Sequence, residues 1–224
     1  MFEREINLIG EENYNKLKNS NVLVIGVGGV GGYAIETLIR SGIENITLVD
    51  YDNIDISNIN RQIIALSSNI GNSKVLEFKK RILSINNNVK VKTIKEKINE
   101  DNINLLFEEK YDYIIDACDT MIVKKLLIKK CHENNINLIT VCGMGKKLDP
   151  SKIKISDIKD TNYDPLAKAL RKYVKDEKIK GKVICVSSTE QPLKTDKNMV
   201  TSMMMVPSTA GIYAASYVIN SIIK

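Results

Sequence analysis

The sequence predicts an α/β fold: a Rossmann-like, doubly wound, mainly parallel sheet with helices on both faces. Three observations carry this expectation. Strand-like and helix-like patterns alternate along most of the 224 residues, as in a succession of βαβ units. A short apolar run, VLVI at 22–25, feeds straight into the glycine turn GVGGVGG. The next apolar run closes on Asp50, where doubly wound folds place an acid against a ribose.

Residues 3–18 read as a helical lead-in, 22–25 as the first strand, 33–41 as a helix and 46–49 as the second strand. Residues 73–85 predict an amphipathic helix, because Val75, Phe78, Ile82 and Ile85 recur at helical spacing. Strands are expected at 89–94, 111–115 and 137–141, with a helix at 123–133. Beyond Gly145 the charge density rises, and short strand patterns at 153–155 and 183–186 flank one helix at 165–178. We read residues 1–224 as a single domain: a nucleotide-binding core over 1–145, a substrate-facing insertion over 146–197, and a C-terminal strand and helix over 198–224.

Residues 198–223 carry no charge and are long enough to span a bilayer. Pro207, Ser208 and Thr209 interrupt the run, and Asn220 dilutes it. It therefore reads as strand or loop to about Pro207, then a core helix from Ala210, with peripheral membrane contact as the weaker alternative.

Hydrophobic residues make up 43% of the chain, enough for a sizeable core. With no Trp and three Phe, Ile, Leu and Val must fill it. The opening MFEREINLIG lacks the basic and apolar regions of a signal peptide. The four cysteines, 118, 131, 142 and 185, form no C-x-x-C pair. That argues against a disulfide framework and against zinc, and fits a reducing cytoplasm. Cys185 reads as a buried strand thiol rather than an acceptor of sulfur or of a thioester. A net charge of +6 permits an acidic partner, nucleic acid included, without identifying one.

The glycines have separate tasks. Gly26 allows a tight turn, Gly28 lets a phosphate approach the backbone, and Gly31 lets the next helix pack on the strand. The helix N-terminus adds free N–H groups and partial positive charge. Strand, turn, helix, strand and acid in register point to a nucleotide, either NAD or ATP.

The residues after the second strand favour ATP. A dehydrogenase often sets a His or Tyr beside its nicotinamide, and the only histidine, His132, falls near a predicted helix end. The stretch VDYDNIDISNINRQ instead supplies Asp50 and Asp52, then Asn58, Asn60, Arg61 and Gln62. Lys74 follows early on a helix, and the strand at 111–115 runs into DACD, with Asp116 and Asp119. Arg61 and Lys74 can neutralise a triphosphate, and Asp119 can hold magnesium. Such a set suits attack on an α-phosphate, where charge develops on phosphorus and on leaving pyrophosphate.

GVGGVGG, LVDYDNIDISNINRQ, IGNSKV and IIDACDT together resemble the adenylating domain of the ubiquitin-activating superfamily, which includes the bacterial MoeB and ThiF proteins. The resemblance implies activation of a carboxylate as an acyl-adenylate, using ATP and magnesium. It implies that Gly26, Gly28, Gly29 and Gly31 cradle phosphate and that Asp50 binds ribose. Asn58, Arg61, Gln62 and Lys74 would contact the phosphates, Arg61 and Lys74 promoting transfer, and Asp119 would hold the metal. Arg4, in FERE, matches an arginine lent across a homodimer into the neighbouring site; an exposed helix charge is the alternative.

MoeB and ThiF carry two C-x-x-C pairs for zinc, absent here. The second half instead resembles the tRNA threonylcarbamoyladenosine dehydratases, through CGMGKKLDPSKIKISDI, DPLAKALRKYVK, CVSSTEQP and VTSMMMVPSTAGIYAASYVI. This implies ATP-dependent cyclisation of N6-threonylcarbamoyladenosine in tRNA, with a sulfurtransferase-type accessory protein as a further partner. The competing expectation is adenylation of a ubiquitin-like sulfur carrier ending in Gly-Gly. In the helix at 165–178, Leu166, Leu170, Tyr173 and Val174 fall on one side, and Lys168, Arg171, Lys172 and Lys175 on the other. That basic stripe can track tRNA phosphates or be an ordinary solvated face.

Overall fold

A computed structural model describes residues 1–194 and 201–224. Residues 195–200, which include the end of the expected insertion and the start of the uncharged C-terminal run, lie outside the described residues. Among the described residues, seven strands form one sheet in the order β3-β2-β1-β4-β5-β7-β6. The strands are β1 (Asn21–Ile25), β2 (Asn45–Val49), β3 (Lys90–Ile94), β4 (Tyr113–Asp116), β5 (Asn137–Val141), β6 (Ile153–Asp157) and β7 (Ile184–Ser188). All neighbours pair in parallel except β6, which lies antiparallel on β7 at the edge. The two strand patterns beyond Gly145 thus extend the nucleotide-binding sheet.

The central strands are buried on both faces, as their continuous apolar runs require. Val22 and Val24 face one core with α3 (Gly31–Arg40), α4 (Lys74–Ile85) and α7 (Met205–Ile222). Leu23 and Ile25 face a second core with α5 (Met121–Glu133). Within α4, Val75, Phe78 and Ile82 are buried, following the predicted stripe. A third cluster gathers α6 (Pro165–Asp176) over β7, with Ala167, Leu170 and Val174 buried alongside Cys185.

Two elements depart from expectation. The lead-in is two helices, α1 (Glu3–Ile9) and α2 (Glu11–Asn19), because Gly10 breaks the path at φ +83°. The C-terminal helix starts at Met205, five residues ahead of the expected Ala210, with no strand at 201–204. Pro207 sits in its first turn, where backbone N–H groups have no intrahelical acceptor, so its missing donor costs nothing. None of the described helices is long and apolar enough to cross a membrane. Instead α7 buries Val206, Ala210, Gly211, Ala214, Ala215 and Val218. At Gly211 the backbone of α7 approaches Val30 O so closely that a Cβ would overlap it. This contact backs the glycine loop from behind, and only the folded structure shows it.

Candidate active site

Because β1, β2, β4 and β5 are parallel, their carboxyl ends and following loops share one edge of the sheet. Chain order reverses between β1 and β4, which opens a crevice there. The glycine loop crosses it. Gly26 has φ +82°, and a Cβ there would lie 2.7 Å from Ala117 O, so no larger residue fits. At Gly28, by contrast, a Cβ would meet nothing nearer than Gln62 Nε2 at 3.6 Å, and at Gly29 nothing nearer than Arg61 Cγ at 3.4 Å. The loop therefore faces the side chains of Arg61 and Gln62 with room for a methyl group at contact distance, next to the N-terminus of α3, whose first turn leaves backbone N–H groups without intrahelical acceptors.

Asp50 holds this loop. Its Oδ2 accepts from Val27 N at 2.8 Å and its Oδ1 from Asp52 N at 2.9 Å. Each oxygen keeps a lone pair, so the brace remains able to accept ribose hydroxyls. The segment carrying Asn58 to Gln62 is folded by a capping box. Asp55 Oδ1 accepts from Ser57 N at 2.8 Å, and Asn58 Oδ1 accepts from Asp55 N at 3.1 Å. Arg61 Nη1 donates to Ser57 O at 2.7 Å and to Asn60 Oδ1 at 2.9 Å, leaving the other guanidinium donors for an anion. Asn60 Nδ2 ties this segment to Ser202 O at 2.9 Å.

Lys74 opens α4, and its Nζ lies 2.8 Å from Asp52 Oδ2. The lysine side chain is 5% exposed and the aspartate 45%, so the ammonium is sheltered while its counter-ion meets solvent. The charges of Asp52 and Asp119 both act on Tyr51. Its hydroxyl is raised above the ordinary phenol range by Asp52 first, then by burial, Asp119 and Asp50. Asp119 itself is exposed, beyond the tip of β4.

Two observations show that the cradle suits a polar ligand. Gln62 Oε1 and Ser73 Oγ are buried without a partner among the described residues, and one is beside the glycine loop and the other adjoins Lys74. Among the described residues no cluster of three His, Cys, Asp or Glu could cage a metal. A lone exposed carboxylate with Asp52 nearby fits magnesium, which takes one or two carboxylates and completes its shell with phosphate and water.

The structure corrects one assignment and constrains another. Asp116, expected beside the nucleotide, is fully buried. Its Oδ2 accepts from Thr140 Oγ1 at 2.6 Å and from Lys124 Nζ at 3.0 Å, and its Oδ1 from Cys118 Sγ at 3.1 Å and Cys118 N at 3.3 Å. With all its acceptor sites occupied it has nothing left for a cofactor. Arg171 is tethered within the basic stripe, because its Nη1 donates to Thr161 O at 2.7 Å and to Thr161 Oγ1, while its other guanidinium donors stay unassigned. Lys168, Lys172 and Lys175 remain exposed on α6. That helix is capped by Asp164, whose Oδ1 accepts from Leu166 N at 2.8 Å while Oδ2 accepts from Gly143 N at 2.6 Å. The cap thereby joins the basic helix to the loop after β5.

Lys124 was missed. It lies in phase with Leu127, Ile128 and Cys131 on the buried face of α5, and a lysine at that spacing is the signal that could have found it. Cys185 is fully buried, burial first and then Asp116 push Cys131 up to about 12, and Cys118 is raised further, chiefly by burial. His132 is exposed in the last turn of α5. Arg4 is exposed on α1, which packs on α2 partly through Phe2 and Tyr14 at 5.6 Å.

The ThiF family model matches residues 2–224. The chain is 38% identical to the tRNA threonylcarbamoyladenosine dehydratase of Bacillus subtilis, over all of this chain and 94% of that protein. It is 39% identical to the Escherichia coli dehydratase over 82% of this chain and 71% of the other. The E. coli enzyme solved in complex with ATP superposes with a TM-score of 0.93 at 35% identity, covering 99% of this chain and 93% of that one.

Proposed function

Because this chain belongs to the ThiF family, we propose that its crevice activates a carboxylate with ATP, and that the substrate is N6-threonylcarbamoyladenosine in tRNA. The protein is an ATP-dependent tRNA threonylcarbamoyladenosine dehydratase. The observation that carries this reading is that the likeness to the dehydratases runs through the whole chain, β6, α6 and β7 included, and not through the nucleotide half alone.

The triphosphate lies along the glycine loop, with N–H groups of residues 28–31, at the start of α3, donating to its oxygens. Asp50 accepts from the ribose. Arg61 and Lys74 face the phosphates and stabilise charge as it builds on phosphorus and pyrophosphate. Asp119, with Asp52 nearby, would hold magnesium, which neutralises phosphate oxygens when bound. A carboxylate oxygen of the threonyl group attacks the α-phosphorus, and the bond to pyrophosphate breaks. The ureido group then attacks the activated carbonyl, AMP leaves with the former carboxylate oxygen, and the ureido group gives up a proton. The product is one water lighter. Because nucleophile and electrophile belong to one molecule, closure needs no enzymic nucleophile, in keeping with the buried thiol of Cys185.

The exposed lysines 168, 172 and 175 form the side along which tRNA phosphates run. We read the 146–197 region as substrate-facing, the whole chain as one adenylating domain, and the working form as a cytoplasmic homodimer in which Arg4 reaches the neighbouring site. A sulfurtransferase accessory protein is a further partner on this reading.

The decisive experiment incubates the protein with ATP, magnesium and tRNA bearing threonylcarbamoyladenosine, and weighs the released nucleoside. ATP-dependent loss of one water is the expected result. No mass change, with AMP forming only when a Gly-Gly carrier protein is added, would move the activity to the sulfur-carrier branch.

A further inference from the structure

One buried ion pair lies outside the ligand contacts yet fixes the turn after β4 on which the glycine loop rests. Lys124 and Asp116 have no exposed side-chain surface, and they meet at 3.0 Å. Lys124 Nζ also donates to Val141 O at 2.8 Å and to Thr140 Oγ1 at 3.3 Å, so a single ammonium from α5 pins the tips of β4 and β5 together. Thr140 completes the triangle with its 2.6 Å bond to Asp116.

The far oxygen of Asp116 governs what comes next in the chain. It accepts from Cys118 N at 3.3 Å and Cys118 Sγ at 3.1 Å, which sets the turn at residues 117–118 just ahead of Asp119. The same peptide is the surface on which the glycine loop rests. Gly26 approaches Ala117 and Cys118 backbone atoms so closely that a Cβ would lie 2.7 to 2.8 Å from three of them. Ala117 N is itself fixed to Ile25 O at 2.8 Å. The phosphate loop and the metal-side carboxylate therefore hang from one peptide, whose position is set from beneath.

Burying this pair is costly, since neither charge meets water and desolvation offsets much of the attraction. An apolar pair of similar volume would hold strands together as well. What a charged pair adds is direction: four donors converge on one carboxylate and leave it a single orientation.

We propose that Lys124 and Asp116 are positioning residues for activation, aligning Asp119 with the phosphate loop so that magnesium–ATP is held in one geometry. This inference rests on the ATP–magnesium reading of the crevice. Neither residue touches the nucleotide; both act through the 117–118 peptide.

The test measures ATP binding by titration calorimetry, with and without magnesium, and folding by thermal melts. Three variants are compared with the wild type: Lys124→Met, the charge-free pair Lys124→Met with Asp116→Asn, and Thr140→Val. Thr140→Val is close in shape, removes the shortest donor to Asp116 and the 3.3 Å acceptor of Lys124, and leaves the ion pair itself in place, so it keeps the test alive should the others fail to fold. In every variant that melts cooperatively, magnesium-free ATP affinity is expected to stay within threefold of wild type. The gain in affinity on adding magnesium is expected to fall at least tenfold in the charge-free pair and about threefold in Thr140→Val. Turnover should fall in kcat with KM for tRNA unchanged.

A merely structural pair would give a different pattern. Lower melting temperatures with an intact magnesium-dependent gain in the folded variants, Thr140→Val included, would overturn the positioning role and leave the site reading standing. Wild-type protein that bound ATP no better with magnesium than without would remove both.

Discussion

Gly26 and Gly28 lie two residues apart in one loop and answer to different constraints. At Gly28 the backbone φ lies outside the left-handed region, and an added Cβ meets its nearest neighbour, Gln62 Nε2, at 3.6 Å. Gly28→Ala should therefore change stability by no more than about 0.5 kcal/mol, and reduced freedom of the unfolded chain works in its favour. The methyl group would stand where a phosphate must approach the backbone. Losing one hydrogen bond to a charged group costs about 1.5–3 kcal/mol, or roughly a tenfold to 150-fold weaker Kd for ATP. Gly26→Ala should do the reverse. Its φ of +82° costs a side chain about 1–2 kcal/mol. Contacts of 2.7 to 2.8 Å with backbone atoms of Ala117 and Cys118, which cannot rotate away, add about 1–3 kcal/mol more. At this chain length the sum lowers Tm by roughly 5–20 °C. Calorimetric titration with ATP and a thermal melt of each variant measure both quantities. Gly28→Ala protein that bound ATP within threefold of wild type at unchanged Tm would refute the placement of phosphate on this loop.

Lys74→Met should cut water loss from the tRNA nucleoside by about a hundredfold or more, the scale for removing one charge-stabilising donor, with Tm nearly unchanged because Asp52 is solvated; nucleoside mass spectrometry reads the first and a melt the second. Changing Lys168, Lys172 and Lys175 together to Gln should weaken tRNA binding and flatten its dependence on salt by about two to three in log–log slope, while ATP binding stays as in wild type; an unchanged slope in filter binding would remove α6 from the tRNA path. Glu36 supplies a pH test. Burial opposes its ionisation, but hydrogen bonds from Arg81 and Arg40 prevail and hold its carboxyl below the usual range. A lowered carboxylate pKa adds stability above the unfolded value near 4.3, and that stability is lost as pH falls through the folded pKa. The Tm difference between wild type and Glu36→Gln should thus be largest near pH 6 and shrink toward pH 3; a pH-independent difference would show that the arginines contribute packing rather than charge.

Local pattern sufficed for the sheet and for the linked motifs. Alternation of apolar runs with helical stripes, a glycine turn after VLVI and an acid at the end of β2 are short-range signals, and each element they mark exists within a few residues of its expected place. Asp50 and Asp119 follow closely on the ends of β2 and β4, so once the strands are parallel these side chains share an edge. The full-length likeness to the dehydratases was legible for the same reason, since it rests on ordered motifs.

What pattern could not supply was partnership. Asp116 and Asp119 are three residues apart and equally acidic in sequence, yet one is sealed against Lys124 and Thr140 and the other is exposed. Arg171 stands among lysines in the stripe but turns to Thr161, ten residues earlier. The start of α7 was misplaced because a proline looks like a breaker until the first turn around it is seen. Sequence determined which residues could carry phosphate chemistry, because spacing fixes which end of the sheet each one occupies. Tertiary structure decided which of them are free to act, because burial and the donors within reach come from strands and helices far apart in the chain.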